Sequence, residues 1–146
     1  MKYHYRETTD VSPAIREAAE QACIQAQKDL GLPAVSLIWM QSCPEPTAHT
    51  SPDPLAAWML KSVPDRIWVV ADSGLSPREI AGFVAHEMRH LWQVNTGRVV
   101  DVWAQRDDLE WDAERYQEQA LGRRVAGRAE IHELHQSLAE TLRKLG

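Results

Sequence analysis

Two histidines, His86 and His90, stand four residues apart in a stretch with the apolar spacing of an amphipathic helix. Residues four apart lie nearly above one another on an α-helix, so a helix here would point both imidazoles into the same space. Glu87 lies directly beside them. Two imidazoles and one carboxylate in this pattern, HExxH, are typical of a site that binds a metal ion and activates a water molecule. The spacing therefore favours a helix and predicts a metal site on it.

The sequence on either side of the motif supports a capped helix that follows a buried strand. Residues 66–71, RIWVVA, form an apolar run that predicts a strand covered on both faces. Ser76 and Glu79 form a capping box with a proline between them, and Gly97 is the expected end of the helix. Its predicted buried stripe consists of Ile80, Val84, Met88 and Leu91.

Hydrophobic periodicity and the positions of proline and glycine place the remaining elements. The predicted strands cover residues 2–7, 35–40, 55–62 and 66–71. The predicted helices cover residues 13–31, 77–97, 107–124 and 128–145. Segment 55–62 is also compatible with a helical turn, and four prolines make residues 43–54 a loop. A chain of 146 residues suffices for one hydrophobic core, so we expect a single domain over residues 1–146.

The histidine pair predicts a further metal ligand elsewhere in the chain, because a catalytic zinc ion usually has three protein ligands and one position for water. Glu110 is the preferred candidate, since it lies twenty residues after His90 and early on the next helix. Glu114, one turn later, would orient a ligand histidine through its ring N–H. The alternative third ligands are His132 and His135 on the last predicted helix. Four aspartates are less well placed: Asp101, Asp107, Asp108 and Asp112.

The motif HEMRHLWQ, followed by EWDAERY at residues 110–116, resembles the gluzincin-type metallopeptidases. In that group HExxH is followed by a glutamate ligand on the next helix. The chain is most similar to the ImmA/IrrE-like minimal zincins and related short zinc metallopeptidase domains, over about residues 66–121. The resemblance implies an α+β minimal zincin-like fold, in which a small mixed sheet packs on the HExxH helix and a second helix supplies the third ligand.

Carried over residue by residue, the resemblance implies that His86, His90 and Glu110 bind one Zn²⁺ and that Glu87 is the general base. The chain departs from two related groups. Metzincins would have glycine and histidine at the positions of Gln93 and Thr96, and the later histidine ligand of the SprT-like family has no match after the motif helix.

The expected function is a zinc-dependent peptidase that acts on a peptide or protein substrate. The alternative is a zincin-fold regulatory domain that binds metal and recognises a partner with little or no proteolysis. Two imidazoles and one carboxylate also suit iron, cobalt or manganese. A zincin commonly binds an extended peptide along a strand, and segments 55–62 and 66–71 are both candidates for that edge. The residue that would stabilise an oxyanion stays open between Arg89, Tyr116, His132 and His135.

Charge and cysteine content narrow the possible partners and the compartment. The net charge is −5 and charges of both signs are interspersed, so we expect neither nucleic acid nor an anionic membrane as a partner. No apolar run approaches the length of a membrane span, and the first residues do not resemble a signal peptide. Cys23 and Cys43 form no CxxC pair and are expected to be reduced structural thiols. These features predict a cytoplasmic protein.

Overall fold

The computed structural model describes residues 4–43, 57–60, 63–97 and 106–122. Four strands occur in this part of the chain: β1 (His4–Glu7), β2 (Ser36–Cys43), β3 (Ala57–Leu60) and β4 (Val63–Val70). Three helices accompany them: α1 (Pro13–Leu30), α2 (Pro77–Asn95) and α3 (Arg106–Ala120). The α+β class is therefore confirmed. Residues 44–54 of the predicted loop and the predicted helix over residues 128–145 lie outside the described residues.

The four strands form one mixed sheet in the order β1-β2-β4-β3. The two inner strands, β2 and β4, pair in parallel, with Leu37 opposite Ile67 and Trp39 opposite Val69. The outer strands β1 and β3 pair antiparallel with their neighbours. Residues 57–60, the described part of segment 55–62, are therefore a strand and not a helical turn. The strand order also makes β4 an inner strand, as its continuous apolar run predicts.

Strand pairing shifts two boundaries from their predicted positions. β2 continues to Cys43 instead of ending at Met40, because its last residues pair with β1. β4 begins at Val63 instead of Arg66, because Val63 pairs with Leu60 of β3. The extension of β2 depends on pairing with β1, which is distant in sequence, and that of β4 on pairing with the preceding strand β3. The hydrophobic periodicity of a single segment contains no information on such pairing.

The core lies between one face of the sheet and helices α1 and α2. The predicted stripe of α2 is confirmed, since Ile80, Val84, Met88 and Leu91 are all fully buried. Helix α1 contributes small side chains, and the sheet contributes Trp39, Ile67 and Val69. Each large aliphatic side chain removed from water in this way stabilises the fold by about 1.5–3 kcal/mol. The motif helix is therefore anchored along its whole apolar side.

Local signals fix both ends of α2. The side chain of Ser76 accepts a hydrogen bond from the backbone N–H of Glu79, and the Glu79 carboxylate accepts one from the N–H of Ser76. This capping box satisfies two donors that a helix otherwise leaves free. At the other end, Gly97 adopts a φ of 71°, a left-handed conformation that favours glycine. In the described part of the chain, no helix is long and apolar enough to cross a bilayer.

Helix α3 packs antiparallel to α2, and a glycine permits their close approach. A Cβ atom on Gly82 would lie 2.9 Å from Cδ1 of Leu121 and 3.1 Å from Nε2 of Gln117. Arg78 donates a hydrogen bond to the backbone carbonyl of Leu121. Helix α3 ends at Ala120, four residues before the predicted end, because the chain turns there through a left-handed glycine at position 122. The start of α3 then lies beside the second half of α2.

The face of the sheet opposite α2 carries an aromatic row. Trp58 of β3 stacks on Trp68 of β4, with ring centroids 6.2 Å apart and planes 4° from parallel. Tyr5 of β1 meets Trp58 at 5.3 Å, although their strands occupy opposite edges of the sheet. The rings therefore reach across the two inner strands and connect both edges on this face.

Candidate metal centre

His86, His90 and Glu110 converge between α2 and α3. Their candidate ligand atoms all lie within 4.8 Å of one another. Nε2 of His86 is 3.1 Å from Nε2 of His90. The Glu110 carboxylate spans both rings, with Oε2 3.1 Å from His86 Nε2 and Oε1 3.0 Å from His90 Nε2. The helical spacing of the histidines and the antiparallel return of α3 thus bring together the three residues proposed from the sequence.

The chemistry of this donor set fits one cation. Tetrahedral bonds of about 2.0–2.1 Å place neighbouring ligand atoms about 3.3–3.4 Å apart, close to the separations observed. Two ring nitrogens 3.1 Å apart repel each other if both present lone pairs, unless a proton or metal ion lies between them. The cluster could therefore hold a metal ion, with two nitrogen ligands and one oxygen ligand.

Without a metal, protons take the place of the cation. Burial lowers the pKa of His90, but its hydrogen bond to Glu110 and the negative charge of that carboxylate outweigh burial and raise it to about 9. The pKa of His86 is raised by the same partner against the same burial. Burial raises the pKa of Glu110, yet the two histidine hydrogen bonds hold it well below its usual range. Because a metal ligates only deprotonated rings, metal and protons compete for this cluster.

The other ring nitrogen of His86 faces α3. Its Nδ1 lies 3.1 Å from Oε1 of Gln117 and 3.4 Å from Oε1 of Glu114. Both oxygens accept hydrogen bonds, so Nδ1 donates and Nε2 keeps its lone pair for a metal. Glu114 thus lies where the sequence places a residue that orients a ligand histidine, and Gln117 shares that position.

The corresponding nitrogen of His90 faces a buried amide on its own helix. Nδ1 of His90 lies 2.8 Å from Oε1 of Gln93, which is 1% exposed. Gln93 donates through Nε2 to the backbone carbonyl of Leu109 and to Oδ2 of Asp112, each at 2.9 Å. Asp112 in turn accepts two hydrogen bonds from Arg89, at 2.7 and 3.0 Å. Both ligand histidines therefore have hydrogen-bond acceptors on the side away from the metal position.

Glu87 has the properties of a proton acceptor. Burial raises the pKa of its carboxyl group, and the positive charges of His86 and His90 oppose that rise only in part. Among the described residues, none forms a hydrogen bond or ion pair with the Glu87 carboxylate. A desolvated carboxylate with a raised pKa and no committed partner accepts a proton more readily than an ordinary glutamate.

The other residues considered from the sequence have different surroundings. Asp112 forms a bidentate ion pair with Arg89. Both side chains are therefore engaged with each other: Asp112, which was a possible metal ligand, and Arg89, which was a possible oxyanion donor. The hydroxyl of Tyr116 donates to Oδ2 of Asp29 at 3.5 Å. Asp107 and Asp108 both lie in the first turn of α3. The remaining candidates, Asp101, His132 and His135, lie outside the described residues.

Sequence reasoning missed the two glutamines that contact the histidine rings. In the sequence, Gln93 was considered only because metzincins have glycine at this position. It lies three residues after His90 and thus on the same side of α2. That spacing was the available signal. Gln117 lies three residues after Glu114, so the same rule places it on the side of α3 that faces His86. Glutamine is common on exposed helix faces, which makes such positions easy to overlook.

Comparison with protein-family models, curated proteins and solved structures finds no match to this chain. A functional assignment therefore depends on the chemistry of the site itself.

Proposed function

We propose that the protein is a zinc-dependent peptidase, in which His86, His90 and Glu110 bind the metal and Glu87 is the general base. The observation that carries this proposal is the convergence of the three candidate ligand atoms beside Glu87, a half-buried carboxylate with a raised pKa and no partner among the described residues. The sequence resemblance to gluzincin-type metallopeptidases supports it. So does the α+β arrangement, in which a mixed sheet packs on the helix that carries HExxH.

The donor set favours zinc, since two imidazoles and one carboxylate with a further open position are the usual ligands of a catalytic zinc ion. Such an ion lowers the pKa of a water molecule towards neutrality and polarises the carbonyl oxygen of an amide. Glu87 would take up the proton that the water loses as its oxygen bonds to the carbonyl carbon, and would return it to the amine nitrogen as the C–N bond breaks. His86 and His90 hold their Nε2 atoms towards the site because both Nδ1 atoms face acceptors.

Peptide substrates are favoured by the position of β3. Helix α2 contacts both β3 and β4, so the motif helix lies beneath this side of the sheet. Among the described strands, β3 forms the edge here, whereas β4 is enclosed by β2 and β3. An extended peptide could add to the sheet along β3 through backbone hydrogen bonds. We therefore favour β3, within segment 55–62, as the edge that binds a peptide, because residues 66–70 belong to the inner strand β4.

The test combines metal analysis with replacement of the base. Protein purified without chelator is expected to contain about one equivalent of zinc, and to cleave members of a peptide library. Glu87→Gln should keep the metal and lose at least about a hundredfold in kcat, because general-base catalysis contributes roughly 10²–10⁴. Glu20→Gln is the matched control, since Glu20 is an exposed glutamate on α1 away from the site.

Two results would contradict the proposal. Less than about a tenth of an equivalent of any divalent metal would remove the site as described. Full metal occupancy with no cleavage by the wild-type protein would instead favour the regulatory domain that binds metal and a partner. Unchanged cleavage by Glu87→Gln would show that another group is the base.

A further inference from the structure

We propose that Gln93 is a positioning residue that makes His90 a ligand through Nε2, and that Asp112 and Arg89 hold the Gln93 amide in the one orientation that achieves this. The proposal rests on the proposed metal site at His86, His90 and Glu110. It assigns a purpose to a fully buried amide that neither binds the metal nor takes part in proton transfer.

The hydrogen-bond partners of Gln93 fix which end of its amide faces the His90 ring. A glutamine side chain has one acceptor end and one donor end. The donor end of Gln93 faces two groups that can only accept, the Leu109 carbonyl and the Asp112 carboxylate, both at 2.9 Å. Rotating the amide by 180° would set its oxygen against both acceptors. The acceptor oxygen of Gln93 is therefore directed at Nδ1 of His90, 2.8 Å away.

The contact with Gln93 selects the tautomer of the His90 ring. Because Nδ1 of His90 faces an acceptor, the favourable arrangement places a proton on Nδ1. A neutral imidazole carries only one N–H, so the lone pair then lies on Nε2, the atom 3.0 Å from the Glu110 carboxylate. The orientation of one amide thus selects which nitrogen of His90 is available to the metal.

Arg89 keeps the Asp112 carboxylate in place as the acceptor of the Gln93 hydrogen bond. Arg89 donates to both of its carboxylate oxygens, at 2.7 and 3.0 Å. The Arg89 guanidinium itself lies 3.8 Å from the centroid of the Trp92 ring. A bidentate guanidinium pair fixes the orientation of the carboxylate. A continuous chain of hydrogen bonds therefore runs from Arg89 through Asp112 and Gln93 to His90.

The two ligand histidines differ in this respect. His86 has two acceptors near its Nδ1, Gln117 and Glu114, so the loss of one leaves the other. His90 has Gln93 alone among the described residues that hydrogen bond to its Nδ1. Gln93 should therefore be far more sensitive to substitution than Gln117, which provides a matched control.

The experiment measures zinc affinity and the state of the His90 ring, and it needs no substrate. Zinc dissociation constants are measured by chelator competition for the wild-type protein and for Gln93→Met and Gln117→Met. Nitrogen-15 NMR of the zinc-loaded, histidine-labelled proteins reports which ring nitrogen binds the metal and how fast the other N–H exchanges. Gln93→Met should weaken zinc binding by roughly 10–100-fold, the usual effect of removing such a partner, and should speed exchange of the His90 Nδ1–H.

Gln117→Met should stay within about threefold of the wild-type affinity and leave the His90 signals unchanged, because Glu114 still faces His86. Since Gln93 is buried, a second variant guards against loss of the fold. Asp112→Asn alters a side chain that is 32% exposed and keeps Gln93 itself, and it should also weaken zinc binding and speed His90 Nδ1–H exchange.

The inference is overturned if Gln93→Met and Asp112→Asn both bind zinc within threefold of the wild type with a slowly exchanging His90 Nδ1–H. It is also overturned if the wild-type His90 binds zinc through Nδ1. A wild-type protein that binds zinc through His90 Nε2 but cleaves no peptide would refute the proposed peptidase function and leave this inference standing, provided that the Gln93 variant loses affinity.

Discussion

Replacing Glu110 by Gln should destabilise the metal-free protein in a way that depends on pH. The carboxylate accepts hydrogen bonds from Nε2 of both His86 and His90, and these contacts raise the pKa values of both rings. A glutamine in its place carries no charge and cannot stabilise two imidazolium rings. The variant should therefore lose the part of the folding free energy that comes from protonating the cluster.

The size of the effect follows from His90. A rise in pKa from 6.5 to about 9 corresponds to about 3 kcal/mol of favourable interaction with the charged ring. The Glu110 side chain is 28% exposed, so solvent screening reduces this to about 2 kcal/mol. Because the folded pKa of His90 is raised, its contribution is complete below pH 6.5 and is lost as the pH rises through about 9. The pKa of Glu110 is lowered, so its contribution is present above pH 4.5 and is lost in stronger acid.

The measurement is urea unfolding in the presence of EDTA at several pH values. The wild-type protein should exceed Glu110→Gln in stability by about 2 kcal/mol near pH 6 and by less than about 0.5 kcal/mol near pH 10. Glu20→Gln should differ from the wild type by less than about 0.5 kcal/mol throughout, as expected for an exposed residue. A difference that is independent of pH, or that grows as the pH rises, would refute this account of the cluster.

Two further predictions concern metal loading and helix packing. Zinc binding at pH 7 should release at least about one proton, because His90 with a pKa of about 9 is protonated without metal and must become neutral to bind it. Calorimetry in two buffers with different ionisation enthalpies measures the number of protons released, and a release of no protons would contradict the prediction. Gly82→Ala should leave the melting temperature within about 5 °C of the wild type, because the gain in helix propensity offsets crowding against the flexible ends of Leu121 and Gln117. The same variant should keep zinc affinity within about threefold of the wild type, because Glu114 still faces His86 when Gln117 moves; a large loss in melting temperature would show that α3 cannot yield at this contact.

The helices and their ends were the most predictable part of the fold, because their signals are local. Pro13 and Gly31 bracket α1, and the capping box at Ser76 begins α2 at the predicted residue. Even so, the side chain of Ser12 makes no capping hydrogen bond at the start of α1. The strands were found, but the end of β2 and the start of β4 were wrong, since the extensions to Cys43 and Val63 depend on pairing with β1 and β3. Strand order and parallel pairing depend on contacts between distant residues and have no local signature.

The cluster that could hold a metal ion was predictable, because metal binding requires particular residue types at particular spacing. His86 and His90 follow from the helical period, and Glu110 follows from the need for a further ligand on the next helix. The hydrogen-bond chain through Gln93 was not predicted, because it needs the distance between α2 and α3. A helix wheel shows which side chains share a face, but it does not show which backbone carbonyl lies opposite.

The manner in which α3 attaches to α2 has a consequence for how the protein is turned over. Of the fifteen residues of α3, all of them described, only Ala113 is buried. Among the described residues, its links to α2 include the Arg89 pair with Asp112 and the cluster at Glu110. Such an element opens at a lower free energy than the apolar core. If the proposed site holds a metal, loss of the ion would remove one of these links, and α3 should then become more accessible to hydrogen exchange and to proteases.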